Sequence, residues 1–240
     1  MTAVSARCYV FGIVPADAPV PSAGGDGPAA ELRTVAAGDT AALVGSLNGQ
    51  RSLGRAADLL AHDRVLNEVV ASGTPVLPMR FGAVLSDEAA VLDELLGPHL
   101  DEFRAALHRV AGHVQYTLHV QFEQDVVLPE VLAAHPEIAA LRGSGELRQR
   151  LRLGELVVRA LEELRPTEAA ALLSELAGAT DVRQHEPESA DDVLRAAFLV
   201  RSASADAFEA SVENAARRRH ERLRVRLIGP TAAYDFVGDG

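Results

Sequence analysis

"HVQYTLHVQFE", residues His113–Glu123, alternates strictly between apolar and polar side chains. Val114, Tyr116, Leu118, Val120 and Phe122 fall on one side, the period-two signature of a strand with one face in a core. Towards the C-terminus the period becomes helical. A helix is predicted from Glu146 to Arg165, with Leu147, Leu151, Gly154, Val158 and Leu161 along one side. Glu146/Arg150 and Glu155/Arg159 stand four apart on its solvated side, where such pairs support a helix. Pro166 should stop it, since proline removes a helical N–H and its ring meets the preceding turn, and a shorter helix follows over Glu168–Leu176. "ATDVRQHE" and "VLRAAFLVRS" read as strands separated by Pro187, Ala205–Arg218 as a helix and Leu223–Ile228 as a strand. The order β, α, β, β, α, β is the ferredoxin-like pattern, modified here by an irregular, proline-containing insertion at 124–144.

This places a domain boundary near Gly112. Residues 113–240 form a modified ferredoxin-like domain with a C-terminal tail, and residues 1–112 a separate α+β domain of unassigned topology. In the latter, "RCYVFGI", Arg7–Ile13, is a strand, and "PADAPVPSAGGDGPAA" makes residues 15–30 a flexible loop. "ELRTVAAG" and "TAALVGSL" are two short strands turning at Gly38 and Asp39. A helix over Arg55–Ser72 follows, its stripe formed by Leu59, Leu66 and Val69 and widened by Leu60 and Val70. Pro75–Leu85 reads as a strand. Ser86 caps a helix beginning at Asp87, Gly97-Pro98 interrupts it, and a second helix covers His99–Val110.

The fold class is therefore α+β in two domains. Hydrophobic residues make up 48% of the 240, enough for a core, but aromatics are only 4% and tryptophan is absent, so the core is built mainly from Leu, Val and Ala. A net charge of −11 opposes nucleic acid as a partner, because phosphate binding needs a positive footprint. The single cysteine, Cys8, excludes an internal disulfide. No run approaches the roughly 18 apolar residues that a bilayer span requires, and the first residues do not read as a secretion signal. A soluble, cytoplasmic protein without a membrane partner is expected.

Few residues suggest chemistry. Lysine is absent, which removes the P-loop and Schiff-base mechanisms, and neither HExxH nor CxxC occurs. His113 and His119 lie on one strand face but roughly 20 Å apart, too far for one metal ion. No catalytic residue, metal ligand or cofactor is assigned. "RRRH", Arg217–His220, reads either as a patch for an anionic ligand or, at a predicted helix C-terminus where cations are favoured electrostatically, as structural. His62 lies among apolar positions of its helix and reads as a hydrogen-bonded, half-buried histidine. In "PVLPMRFG" Arg80 stands between Met79 and Phe81. Either it points to solvent, or it pairs with a carboxylate such as Asp63 or Glu68 and fixes the helix to the strand. A third arrangement, a cleft in which His62 and Arg80 converge on a small molecule, would make the chain an enzyme or sensor.

Three stretches together resemble the gas vesicle protein F/L family: "YVFGIV" at the start, "AHDRVLNEVVASGTPVLPMRFGAVLSDEAAVLDEL" at Ala61–Leu95, and "LIGPTAAYDFV" at Leu227–Val237. The second contains a helical His followed by an LPxRFG segment, and the third a closing Gly-Pro…Tyr-x-Phe-Val segment. "LGELV", Leu153–Val157, fits as well. The resemblance marks His62, Pro78, Arg80, Phe81, Gly82, Gly229, Pro230, Tyr234 and Phe236 as motif and interaction residues. Many members carry a Trp and further prolines after the final Gly-Pro, where this chain has Thr231, Ala232 and Ala233, so the F or L label stays open. The resemblance implies a non-enzymatic accessory or minor structural role in assembling gas vesicles. It also implies a C-terminal ferredoxin-like fold, and as partners the small hydrophobic shell protein and other accessory gas vesicle proteins.

Overall fold

The computed structural model describes residues 7–22, 28–47, 53–136, 146–176 and 178–237. It is a mixed α and β structure with two antiparallel sheets and two compact units, Met1–Gln115 with Pro230–Gly240, and Tyr116–Gly229. The closing residues, read with the second domain from the sequence, thus belong to the first unit. The reason is burial: Ala232 is part of the first unit's core.

The first sheet has the order β2-β3-β1-β4, from β1 (Arg7–Pro15), β2 (Ala30–Ala37), β3 (Thr40–Leu47) and β4 (Leu77–Pro78), and β5 (Val84–Leu85) also pairs with β1. β2 and β3 form the hairpin expected around Gly38 and Asp39. β1 pairs antiparallel with β3 from Arg7↔Leu47 to Pro15↔Thr40, with a bulge between Val10 and Gly12. As the central strand it is buried on both faces from Cys8 to Val14, which is why its sequence is a continuous apolar run instead of an alternating one. Tyr9, Phe11 and Val14 pack with Leu43, Leu47 and, from α1 (Ala56–Ala71), Val65, Leu66 and Val69. Each such side chain contributes roughly 1.5–3 kcal/mol on burial.

Two local expectations are corrected here. The buried stripe of α1 is Asp58, Ala61, His62, Val65, Leu66 and Val69, while Leu59 and Leu60 are exposed. Hydropathy mis-phased the helix because two of its inward positions, Asp58 and His62, are polar. Asp58 Oδ2 accepts the Arg55 N–H at 3.3 Å in a capping box. The stretch Pro75–Leu85 is not one strand but β4 and β5 on either side of a turn. Ala83 N–H donates to Arg80 O at 3.2 Å, and Gly82 has φ 92°, a left-handed conformation that other residues adopt only under strain.

The helix after β5 is capped by Asp87 rather than Ser86, Asp87 Oδ1 accepting Ala90 N–H at 2.9 Å. α2 (Glu88–Ala90) passes into a π-helical segment, Val91–Leu96, and then α3 (Gly97–Val110). Gly97-Pro98 therefore does not interrupt the helix. The π turn, with Gly97 N–H bonded to Leu92 O, absorbs the proline at the first turn of α3, where a missing N–H is tolerated. Of the loop expected at 15–30, residues 23–27 lie outside the described residues. Ser22 is tied to Glu68 through its N–H at 2.7 Å and its hydroxyl at 2.9 Å.

The rest of the chain contributes β6 (His113–Phe122), α4 (Gln124–Ala134), α5 (Leu147–Leu173), β7 (Ala179–Gln184), β8 (Asp192–Arg201), α6 (Ala205–Arg219) and β9 (Leu223–Thr231), the first three residues of β6 and the last two of β9 falling in the first unit. The sheet order is β7-β8-β6-β9. Phe122 N–H donates to Asp191 O at 2.8 Å and Glu123 N–H to Arg222 O at 2.7 Å, so β6 ends where β8 and β9 begin and runs antiparallel to both. The stretch read as irregular from Gln124 is helical to Ala134 despite Pro129, and its residues 137–144 lie outside the described residues. α5 runs through Pro166 without a break. The roughly 3 kcal/mol cost of an internal proline is offset by packing around it, with Ala160, Leu161 and Leu172 buried. Among the described residues no helix is long and apolar enough to cross a membrane.

Candidate functional site

His62 projects from α1 into a cage of aromatic rings. It stacks on Phe11 at 5.4 Å and 16°, and meets Tyr9 at 5.7 Å and Phe81 at 5.9 Å edge to face. Its exposure is 1%, so it is sealed rather than half-buried. Tyr9 holds it: the hydroxyl lies 2.9 Å from His62 Nδ1 and accepts Gly82 N–H at 3.2 Å. The hydroxyl and Nδ1 share one hydrogen bond, its direction set by the imidazole tautomer. Nε2 is buried without a hydrogen bond of ordinary geometry.

This arrangement gathers motif residues that are far apart in the chain. Tyr9 links the first strand to the helix and to the Arg80–Ala83 turn, and Phe81 is drawn inward against Tyr9 and His62. Pro78 pairs with Gly12 of β1. Tyr234, in a short 3-10 turn with Phe236, donates to Asp63 Oδ1 at 3.1 Å, one residue beyond His62. Phe236 is buried. Gly229 and Pro230 are exposed on the approach to the tail. Arg80 is exposed at the turn without an ion pair among the described residues. Asp63 and Glu68, the partners considered for it, are engaged by Tyr234 and Ser22. Of its two readings, the structure has the solvent-facing one. The His62/Arg80 cleft does not form either, because one side chain is enclosed and the other points to water.

Burial dominates the electrostatics. It pushes the Tyr9 hydroxyl up to about 12 and lowers His62 from its ordinary value, with Asp63 and the Met79 backbone opposing the latter. Burial also raises Tyr234, helped by the Asp63 charge. All three are held neutral near pH 7, as suits a joint. Replacing Tyr9 by Phe removes one hydroxyl but strands two partners, His62 Nδ1 and Gly82 N–H. A loss of about 2 kcal/mol in unfolding free energy is expected. Urea denaturation followed by circular dichroism would measure it, and a loss below about 0.5 kcal/mol would mean that the joint does not depend on this hydroxyl.

Elsewhere, Arg218 and Arg219 of "RRRH" both pair with Glu175, which their hydrogen bonds bring down to about 2. Arg222 pairs with Glu130 and Glu168. These cations are neutralised within the fold. Sequence reasoning missed Tyr9, Gln115 and the contact between His119 Nε2 and Asp192 Oδ1 at 2.8 Å. Only Gln115, a polar residue flanked by apolar ones in β6, could have raised suspicion; the other partners are too distant in sequence. Among the described residues, no cluster of His, Cys, Asp or Glu could hold a metal ion.

Fold and site together describe a two-sheet α/β protein whose distinctive residues brace a joint and leave an arginine turn on its surface. Residues 7–238 match the family described as gas vesicle synthesis protein GvpL/GvpF, and the chain belongs to that family. Gas vesicle protein F of Streptomyces sp. (strain CB03234) is 36% identical, over 95% of this chain and 98% of that protein. Gas vesicle protein F of Nostoc sp. is 25% identical over 75% of this chain and 77% of its own length. Crystal structures of the gas vesicle protein GvpF from Anabaena sp. PCC7120 and from Microcystis aeruginosa each superpose with a TM-score of 0.81 over 98% of this chain and all of theirs, at 23% and 21% identity. The family gives the chain a role in gas vesicle formation.

Proposed function

We propose that the chain is a non-enzymatic accessory or minor structural protein that binds the small hydrophobic shell subunit during vesicle formation, together with other accessory proteins, in the cytoplasm at gas vesicles. The first unit does the binding. The observation that carries this reading is a set of exposed side chains on the elements that meet at the His62 joint. The aromatic cage inside the joint is sealed. On the outer sides of those elements Leu59, Leu60, Arg80 and Tyr234 are exposed, Leu60 by 60%, and Tyr234 is fixed to Asp63 one helical turn beyond the two leucines. Apolar side chains with an arginine and a tyrosine on a rigid support are the usual makings of a binding hot spot. An apolar shell subunit left free would aggregate, and such a surface could cover it until incorporation.

The second unit supports a ferredoxin-like assignment. Counting its four strands in chain order, the sheet reads fourth, first, third, second, with α4–α5 and α6 as the two crossovers. We assign two domains on this basis, the first completed by the tail.

Binding of purified shell subunit to the full-length chain tests the reading. Arg80→Ala and Leu60→Asp are each expected to weaken it at least tenfold, about 1.4 kcal/mol, with unchanged circular dichroism because both side chains are exposed. Unchanged affinity in both folded variants would remove this surface from the interaction.

A further inference from the structure

α5 is supported unevenly. Its second half is anchored, with Ala160, Leu161 and Leu172 buried and Arg165 donating to Asp192 O at 2.6 Å and Ala190 O at 3.1 Å. Its first half, residues 147–159, has no fully buried residue. Yet Leu147, Leu151, Gly154 and Val158 recur there at helical spacing and form one stripe. That stripe faces water: Leu147 is 66% and Leu151 61% exposed, and Val158 is exposed as well.

Two further observations bear on what the stripe is for. The first is charge. In a chain of net charge −11, residues 147–159 hold four arginines and one glutamate. By helical geometry Arg148, Arg152 and Arg159 run along one side of the stripe and Arg150 along the other. All four are exposed, and none has an ion-pair partner among the described residues. The second is Gly154. A Cβ built there would meet nothing within 4 Å, so packing within this chain does not call for a glycine. In an exposed helix interior glycine costs about 1 kcal/mol relative to alanine. A gap at the centre of the stripe does serve one purpose, the close approach of a second backbone.

The geometry points to the first half of α5 as a docking face for an acidic amphipathic helix of a partner protein. The partner's apolar side lies along Leu147, Leu151 and Val158, its backbone crosses closest at Gly154, and its flanking carboxylates meet the arginines. This surface belongs to the second unit and is separate from the shell-binding reading, which stands or falls on Arg80 and Leu60.

The test uses the full-length chain and two labelled helical peptides of about five turns, each with one leucine face, flanked by Glu in one and by Lys in the other. Fluorescence anisotropy should show saturable binding of the Glu peptide, at least tenfold weaker binding of the Lys peptide, and weakening with added salt. Leu151→Asp should reduce binding at least tenfold. Gly154→Leu should do the same by filling the gap, and both variants should keep their helical content because the positions face solvent. Absence of saturable binding, equal binding of the two peptides, or full binding by both variants would overturn the proposal. So would displacement of the peptide by anionic lipid vesicles, or self-association of the chain that Leu151→Asp abolishes, because the face would then serve a membrane or a second copy.

Discussion

Phe236→Ala is expected to destabilise the chain by about 3 kcal/mol or more. Phe236 is buried next to Ala232 and Ala233, also buried, and Ala232 is part of the first unit's core. The segment cannot slide inward to fill the space left by the ring, because Gln115 holds it. Gln115 Oε1 accepts Asp235 N–H at 2.9 Å, its amide donates to the Asp235 carboxylate, and Thr231 donates to Gln115 O at 3.4 Å. Tyr234 adds the bond to Asp63. A cavity that cannot collapse carries both the lost transfer energy and the lost contacts. The chain has no tryptophan, so urea unfolding followed by circular dichroism is the measurement. A loss below about 0.5 kcal/mol would mean that the tail is a surface appendage and not part of the first core.

Asp192→Ala should cost about 3 kcal/mol, since it removes the acceptor at the centre of a buried polar network. The carboxylate is almost fully buried and accepts from His119 at 2.8 Å, Gln121 at 3.1 Å, Glu188 N–H at 2.8 Å and Ser189 N–H at 3.1 Å. Burial alone would raise its pKa. The hydrogen bonds from His119, the Glu188 N–H, Gln121 and the Ser189 N–H outweigh burial and hold it well below the ordinary carboxylate range. A depressed pKa in the folded state contributes stability that is complete above the unfolded value, about 3.9 for Asp, and is lost as pH falls through the folded value. Wild type should therefore weaken below about pH 4 by a component that Asp192→Ala lacks. Parallel pH-stability curves for the two proteins would sink this account.

How legible the molecule was depended on whether its signals were local. β6 announced itself through strict alternation, and the strands and helices after residue 178 fall within a few residues of their expected places. β1 was found because a central strand buried on both faces leaves a continuous apolar run. Proline misled three times, at Pro98, Pro129 and Pro166. Its local penalty is real, but a π turn or tertiary packing can absorb it, and neither can be seen in a short window. The phase of α1 was lost because Asp58 and His62 face inward, and their partners make sense of that only in three dimensions. The motif residues were recognisable as a set, but not their division of labour. Alternation in "LPMRFG" offered Phe81 inward and Arg80 outward as one of two readings, and the capture of the Gly82 N–H by Tyr9, some seventy residues earlier, goes with it.

The return of the tail has a consequence for biosynthesis. A ribosome makes residues 1–115 first, but the first core remains open until Ala232 and Phe236 emerge, and all of Tyr116–Gly229 is made in between. At 5–20 residues per second the interval is on the order of ten seconds, during which the second unit can fold while the first waits incomplete. A message that ends early therefore yields a chain whose first unit never closes. Synthesis of the segment around Ala232 and Phe236 acts as a checkpoint on the unit to which we assign shell binding.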